Sequence, residues 1–234
     1  MCDRRYFRKG LDRLALRLSE DRTDKLLRYC RELEKWSRRI NLIARDTTAA
    51  DIVEKHFLDS LALMPLIAQY SKETSSTGTT LLDVGSGAGF PGLVLAAAMP
   101  KLHVTLAEPR QKRVSFLRHI IRTLQLGNVE VTDKRIEPGQ HREDQEKFTF
   151  HFITGRAVAS ADIFLPMVEN IAAQDTIVIL MSGNDGENSS PEKRQKEQKE
   201  IGIAEKWERI GKKEFSLPFS GHPRVLTLVR RRSL

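Results

Sequence analysis

A glycine-rich segment at residues 83–89 has the residue types and spacing of a loop that holds a nucleotide-like cofactor. Gly85, Gly87 and Gly89 have no Cβ atom, so a ligand can lie against main-chain N–H groups where the following helix begins. Pro91 suits the first turn of that helix. The segment therefore predicts a cofactor site between a strand and a helix.

Two cofactors are compatible with this loop. Gly87, Gly89 and Gly92 match the dinucleotide fingerprint G-x-G-x-x-G, and Glu108 follows at the spacing of an acid that binds ribose hydroxyls. Asp83, however, places a carboxylate ahead of the glycines, which suits the amino and sulfonium groups of S-adenosylmethionine and opposes a pyrophosphate. We favour S-adenosylmethionine, and an NAD-type oxidoreductase stays as the alternative.

The elements that position this loop follow from the apolar pattern. Apolar residues spaced three or four positions apart between Leu11 and Ile40 predict two helices. Two more helices are predicted over 49–57 and 60–69, with Asp59 as a cap between them. Short apolar runs then alternate with helical segments, which is typical of βαβ units. Strands are predicted over 79–84, 102–106, 129–132, 148–154, 176–181, 205–215 and 224–229, and helices over 91–98, 111–126 and 161–173.

Together with the S-adenosylmethionine site favoured for the glycine loop, this pattern predicts an α/β fold of the Rossmann-like class I methyltransferase type. We expect a mostly parallel, doubly wound sheet with a terminal antiparallel strand pair. Residues 1–75 are predicted to be a basic N-terminal helical extension and residues 76–234 the methyltransferase domain. The polar stretch 184–200 is predicted to be an insertion in that domain.

Composition narrows the class of protein. The chain has 234 residues and a formal net charge of +8, concentrated in its first 45 residues, which suits either an acidic partner or a solvated helix face. No apolar run suits a membrane span or a secretory signal, so we expect a cytoplasmic protein without membrane contact. Cys2 and Cys30 form no CxxC pair and no zinc spacing appears, so we expect neither a disulfide nor a structural metal.

Three segments together resemble a known family. They are residues 36–43 with 55–61, residues 83–92, and residues 112–118. Over most of its length the chain resembles the bacterial 16S rRNA guanine-N7 methyltransferases of the RsmG (GidB) type. The resemblance implies a methyltransferase core behind a helical extension, acting on a guanosine of the small ribosomal subunit near the decoding centre. We expect a monomer whose partner is 16S rRNA.

The resemblance also implies site residues. Cofactor contacts fall at Gly85 and Phe90, at the main chain of Ile136 and Glu137, and at Arg156. The forked donors of Arg156 suit the cofactor carboxylate or an RNA phosphate, with a surface ion pair as the alternative. We expect Arg156 to be the catalytic residue of the site.

The chain departs from the family pattern in two places. Gly155 and Val158 stand where the family usually has serine and phenylalanine, and Ser182 stands where it usually has lysine. If that lysine helps to hold RNA, another basic group must replace it here.

The expected chemistry needs few reactive side chains. Guanine N7 has an in-plane lone pair and no proton, so methyl transfer needs in-line approach and no general base. No Asn/Asp-Pro-Pro-Phe/Tyr segment follows the fourth strand, and neither cysteine is placed as a nucleophile, which disfavours amine and carbon methylation. We interpret His56 as a buried structural residue, and Phe57 and Phe90 as core side chains or base-stacking groups. A non-catalytic RNA-binding protein also fits the fold.

Basic residues supply the candidate RNA contacts. Residues 110–122 contain five Lys/Arg and no acids, opposite an apolar stripe that docks on the sheet. With the N-terminal helices and residues 230–232, these residues predict phosphate contacts and salt-sensitive RNA binding.

Overall fold

The computed structural model describes residues 2–71, 78–138, 150–156, 158–183 and 206–232. The chain begins with two antiparallel helices, α1 (Arg4–Arg13) and α2 (Glu20–Ser37). Each has a polar N-cap, because the Asp3 side chain accepts from the amide of Tyr6 and Ser19 accepts from that of Arg22. Helix α2 is the second of the two helices predicted between Leu11 and Ile40, whereas α1 lies mostly before Leu11 and residues 14–19 are not helical.

The next helical stretch is continuous where the sequence predicted a break. It runs through α3 (Ala49–Asp51), a π-helix (Ile52–Leu58) and α4 (Asp59–Leu61), and α5 (Met64–Ser71) follows. The prediction that Asp59 caps a helix is therefore wrong. Its backbone is helical and its side chain is buried, so its carboxylate pairs with tertiary partners instead.

In the described part of the chain, seven strands form one sheet in the order β3-β2-β1-β4-β5-β7-β6. The strands are β1 (Thr79–Val84), β2 (Leu102–Ala107), β3 (Val129–Thr132), β4 (Phe152–Gly155), β5 (Ile177–Gly183), β6 (Trp207–Ser216) and β7 (Pro223–Arg231). The first five are parallel, and β7 is antiparallel to both β5 and β6. The predicted fold class is confirmed, including the antiparallel pair at the end.

Helices connect the parallel strands. They are α6 (Gly92–Ala98), α7 (Gln111–Leu124) and α8 (Ala161–Val168). Because β1 continues to β2 on one side and β4 lies on its other side, the connections diverge between β1 and β4. In open α/β sheets, ligands bind at the carboxyl ends of strands beside such a switch point.

The N-terminal helices share a core with one face of the sheet. One apolar cluster joins Leu26, Leu33 and Phe57 to Leu95 and Phe116, and α2 packs on both α6 and α7. A second cluster, which includes Trp207 and Phe164, covers the other face. Within the described ranges, no helix is both long and apolar enough to cross a bilayer.

The two cysteines contradict the prediction from spacing. Cys2 and Cys30 form a disulfide, with their Cα atoms 6.2 Å apart and both residues buried. The pairing arises because the start of α1 lies against the middle of α2, a tertiary contact that sequence spacing does not reveal. The predicted insertion at 184–200 lies outside the described residues.

Candidate cofactor site

The glycine loop lies at the switch point, between β1 and α6. Gly85, Gly87 and Gly89 have φ angles of +66°, +59° and +93°, a region that side chains with a Cβ rarely adopt. The amides of Gly85 and Ser86 donate to the carbonyl of Ala107 at 2.8 and 3.1 Å, which fastens the loop to the end of β2. The predicted tight turn is present.

Gly89 is needed for close packing as well as for its backbone conformation. A Cβ atom there would lie 2.5 Å from the Tyr29 hydroxyl and 2.8 Å from the Leu93 Cβ. The Tyr29 hydroxyl donates to the carbonyl of Ala88, and burial raises the phenol pKa well above its ordinary value, which keeps the donor protonated. Helix α2 therefore supports the loop directly, and sequence reasoning missed Tyr29 because its signal was only that of a buried helix position.

Asp83 lies beneath the loop and is fully buried. Its Oδ2 accepts from the amide of Gly92 at 2.8 Å, while Oδ1 has no hydrogen-bond partner among the described residues. Burial raises the pKa of this carboxyl to about 7, although the Gly92 amide and Arg156 act in the opposite direction. Asp83 thus fastens the start of α6 and holds one acceptor that a bound group can use.

Glu108 follows β2 and lies beside the glycines, because Val84 and Ala107 pair in the β1–β2 register. Its Oε2 accepts from the amide of Gly87 and its Oε1 from that of Arg110, both at 2.9 Å. A carboxylate has about four acceptor positions, so each oxygen can accept a further hydrogen bond. Buried and held at this edge, Glu108 fits the ribose-binding role predicted for it.

Phe90 is 5% exposed and lies within a stack of side chains. Its ring is 5.8 Å from that of Tyr29 and 5.0 Å from that of His56, and both pairs are nearly parallel. The Arg156 guanidinium lies 5.1 Å from the Phe90 centroid, which is cation–π geometry. Phe57 is fully buried, so it is a core residue and cannot stack on a base.

Arg156 reaches back to the helical part of the chain. Its Nη1 donates to the carbonyl of Lys55 at 2.8 Å, and its Nη2 lies 2.6 Å from His56 Nδ1. Since an arginine can only donate, His56 Nδ1 is the acceptor, and burial followed by the charge of Arg156 lowers the pKa of His56 to about 3. His56 is therefore a neutral group that helps to position Arg156, which agrees with its interpretation from sequence as a buried structural residue.

Asp59 joins two arginines from distant parts of the chain. Its Oδ2 lies 3.4 Å from Arg156 Nη1, and its Oδ1 lies 3.3 Å from Arg224 Nε. A buried carboxylate needs such partners to offset its desolvation. Arg156 is thus part of a buried network of ion pairs. The surface ion pair that the sequence left as an alternative is not found among the described residues.

The remaining predicted positions surround this centre. Ile136 is buried in the second apolar cluster, and Glu137 is exposed with its carboxylate 3.6 Å from Arg135. Val158, which departs from the family pattern, covers Gly85, because a Cβ atom built on Gly85 would lie 2.9 Å from its side chain. The Ser182 hydroxyl donates to the Val225 carbonyl across the β5–β7 pair.

The fold and this site define the class. A glycine loop at the switch point, a buried acid beneath it and a second acid held at the end of β2 are the parts that a class I methyltransferase uses for S-adenosylmethionine. Among the residues that the structure describes, Asp83 Oδ1 has no hydrogen-bond partner and each Glu108 oxygen can accept a further hydrogen bond, and both features fit that cofactor.

Comparison with known proteins identifies the family. The family model described as rRNA small subunit methyltransferase G (GidB) matches residues 22–217. The ribosomal RNA small subunit methyltransferase G of Desulfotalea psychrophila is 40% identical over 222 residues, covering 95% of each chain. That of Syntrophotalea carbinolica is 33% identical, also over 95% of each chain. The chain therefore belongs to the rRNA small subunit methyltransferase G family.

Solved structures agree with the fold. A variant of MtNAS in complex with S-adenosylmethionine superposes with a TM-score of 0.55 at 16% identity, covering 91% of this chain and 76% of that one. The fibrillarin/Nop5p complex gives a TM-score of 0.52 at 13% identity, over 75% and 84% of the two chains. At these identities the likeness concerns the fold alone.

Proposed function

We propose that this protein transfers the methyl group of S-adenosylmethionine to N7 of a guanosine in 16S rRNA. The observation that carries the proposal is the position of Glu108, buried and held by the Gly87 amide at the switch point of a family-defined methyltransferase fold. Curated relatives named ribosomal RNA small subunit methyltransferase G match nearly the whole chain, which favours this function over NAD-dependent oxidoreduction.

The proposed cofactor contacts are those expected from the sequence. They are Asp83, Gly85, Gly87, Gly89, Phe90, Glu108, Ile136, Glu137 and Arg156. When bound, S-adenosylmethionine supplies an electrophilic methyl group. The protein's own task is to orient the reactants and exclude water, because guanine N7 has no proton to remove.

Arg156 is the proposed catalytic residue. Its guanidinium lies over Phe90 with its side chain 20% exposed, so one side of the group faces the network and another can meet a ligand. Its contacts with Lys55 and His56 fix the plane of the fork before any ligand binds. Such preorganisation favours a cofactor carboxylate or an RNA phosphate over water.

The basic residues proposed to contact RNA differ in whether an acidic side chain already pairs with them. Arg4 and Arg8 at the start of the chain pair with acids of α2, and Arg230 pairs with Glu208. Arg38 and Arg39 are exposed, and neither has an acidic partner within the described parts of the chain. The same holds for the exposed cations of α7, namely Lys112, Arg118 and Arg122.

These cations, which have no acidic partner among the described residues, lie just after α2 and on α7. Trp36 packs on Phe116 and His119 of α7 at 5.6 and 5.0 Å, and His119 Nε2 lies 2.7 Å from the Glu32 carboxylate. The end of α2 therefore lies beside α7, and we take this face as the RNA-binding surface. It also offers cations in place of the lysine that Ser182 replaces.

The remaining parts of the proposal concern organisation. We propose residues 1–75 as the helical extension, residues 76–234 as the methyltransferase domain, and a monomer that acts in the cytoplasm on the small ribosomal subunit.

The decisive experiment uses labelled S-adenosylmethionine with 30S subunits that lack the modification. After incubation, the 16S rRNA is digested and its nucleosides are separated. Label in 7-methylguanosine is the expected result, whereas label in another nucleoside overturns the proposed acceptor atom. Titration with S-adenosylhomocysteine and NAD tests the cofactor separately, and binding of NAD alone contradicts the proposal.

A further inference from the structure

Arg113 in the first turn of α7 lies at the cofactor site, although the cofactor contacts expected from the sequence do not include it. Its Nη1 is 3.7 Å from Glu108 Oε2, the same oxygen that accepts from the Gly87 amide. The Arg113 side chain is 27% exposed, while that of Glu108 is 3% exposed. One side of the guanidinium therefore faces a buried carboxylate and another faces solvent.

A second observation places the same group over the glycine loop. A Cβ atom built on Gly87 would meet Arg113 Nη1 at 3.7 Å. The guanidinium thus lies across the open face of Gly87 as well as beside Glu108. The main chain explains this placement, since the Arg113 amide donates to the Arg110 carbonyl and the Arg110 amide donates to Glu108 Oε1.

We propose that Arg113 is a positioning residue for cofactor binding, a role that rests on the proposed function of this site. Arg113 acts through Glu108, because it balances the buried carboxylate and restricts its orientation between the two amides. The carboxylate then presents its remaining acceptor positions toward ribose hydroxyls. A neutral side chain at position 113 leaves Glu108 with its two amide donors and, among the described residues, no cation paired with its carboxylate.

The test is a double-mutant cycle read by S-adenosylhomocysteine binding in the absence of RNA. We expect Arg113→Ala to weaken binding about tenfold, and Arg113→Lys to retain binding within about threefold of the wild type. In a Glu108→Gln background, Arg113→Ala is expected to change the affinity less than about twofold, because the carboxylate it acts on is gone. Lys101→Ala removes an exposed cation at the opposite end of β2 and controls for charge alone.

Turnover and stability complete the test. With 30S substrate, Arg113→Ala is expected to raise KM for S-adenosylmethionine and leave kcat unchanged. The inference is overturned if Arg113→Ala weakens binding equally in the wild-type and Glu108→Gln backgrounds. It is also overturned if the loss of affinity is matched by a loss of unfolding free energy, and either result assigns Arg113 a structural role. Wild-type protein that does not bind S-adenosylhomocysteine overturns the cofactor proposal itself, so the two failures are distinguishable.

Discussion

The hydroxyl of Tyr29 in helix α2 donates a hydrogen bond to the carbonyl oxygen of Ala88 in the glycine loop, 59 positions later in the chain. This contact makes the N-terminal helices part of the cofactor site. It also lies beside Gly89, where a Cβ would meet the same hydroxyl.

Removing that hydroxyl tests its contribution. Tyr29→Phe leaves the buried Ala88 carbonyl without its donor, so we expect a loss of about 1–3 kcal/mol in unfolding free energy and weaker S-adenosylhomocysteine binding. Urea denaturation and calorimetry measure the two effects. Tyr6→Phe is the control, because its ring stacks on Phe219 and no described hydrogen bond involves its hydroxyl. Equal effects of the two substitutions would contradict this role.

Gly89→Ala combines backbone strain with a steric clash. Gly89 has a φ of +93°, and the new Cβ atom would lie 2.5 Å from the Tyr29 hydroxyl. We therefore expect a loss of about 2–4 kcal/mol in unfolding free energy. Gly221→Ala has a positive φ and open space, so it isolates the strain, while Gly127→Ala has neither cost. Urea denaturation should rank the losses as Gly89, then Gly221, then Gly127, and any other order would count against the packing role.

Asp83 should make stability depend on pH. Its folded pKa of about 7 exceeds the ordinary 3.8, so the folded state holds the proton more tightly and stability declines as pH rises from about 4 to 7. We expect Asp83→Asn to be more stable relative to wild type at pH 8 than at pH 5. Thermal unfolding of both proteins across this range measures the difference, and a constant difference would refute it.

The pH control is a carboxylate with the opposite shift. Hydrogen bonds from Thr48 and Lys55 lower the pKa of Asp51 to about 2. Its contribution is present above about pH 4 and is lost as pH falls toward 2, so Asp51→Asn should give a constant difference between pH 5 and 8.

Arg156 is predicted to affect both stability and the site. Arg156→Ala leaves Asp59 buried with one cation fewer and removes the donor to His56, so we expect a lower unfolding free energy, weaker S-adenosylhomocysteine binding and lower turnover. Arg156→Lys keeps the charge without the fork and should recover stability more than turnover. Unchanged affinity and turnover in Arg156→Ala would remove Arg156 from the site.

The RNA-binding surface gives a salt-dependent prediction. The double substitution Arg38→Glu and Arg39→Glu should weaken binding to unmodified 30S subunits and reduce its dependence on salt, while S-adenosylhomocysteine affinity is retained. The matched control is Arg4→Glu with Arg8→Glu, because both arginines are paired with α2 acids. If the control weakens RNA binding as much, the surface lies elsewhere. Filter binding at several salt concentrations measures both.

Much of the fold could be predicted from local pattern. The alternation of apolar runs and helical periods predicted all seven strands near their observed positions, because strand and helix periodicity are properties of adjacent residues. The helix through Asp59 was missed, since a polar pair that resembles a cap is here buried by a tertiary network. The Cys2–Cys30 pairing was missed for the same reason, because it depends on how α1 lies on α2.

The sequence by itself determined the glycine loop, the preference for S-adenosylmethionine over NAD and, through three short segments, the resemblance to the family, because these depend on residue types at fixed local spacing. Only the tertiary structure decided that Tyr29, Asp59, Arg113 and Arg224 reach the side chains of that site. It also decided that Asp83 fastens α6 from beneath the loop. These contacts join distant segments, and their energies depend on burial and distance, which exist only once the helices and sheet have packed.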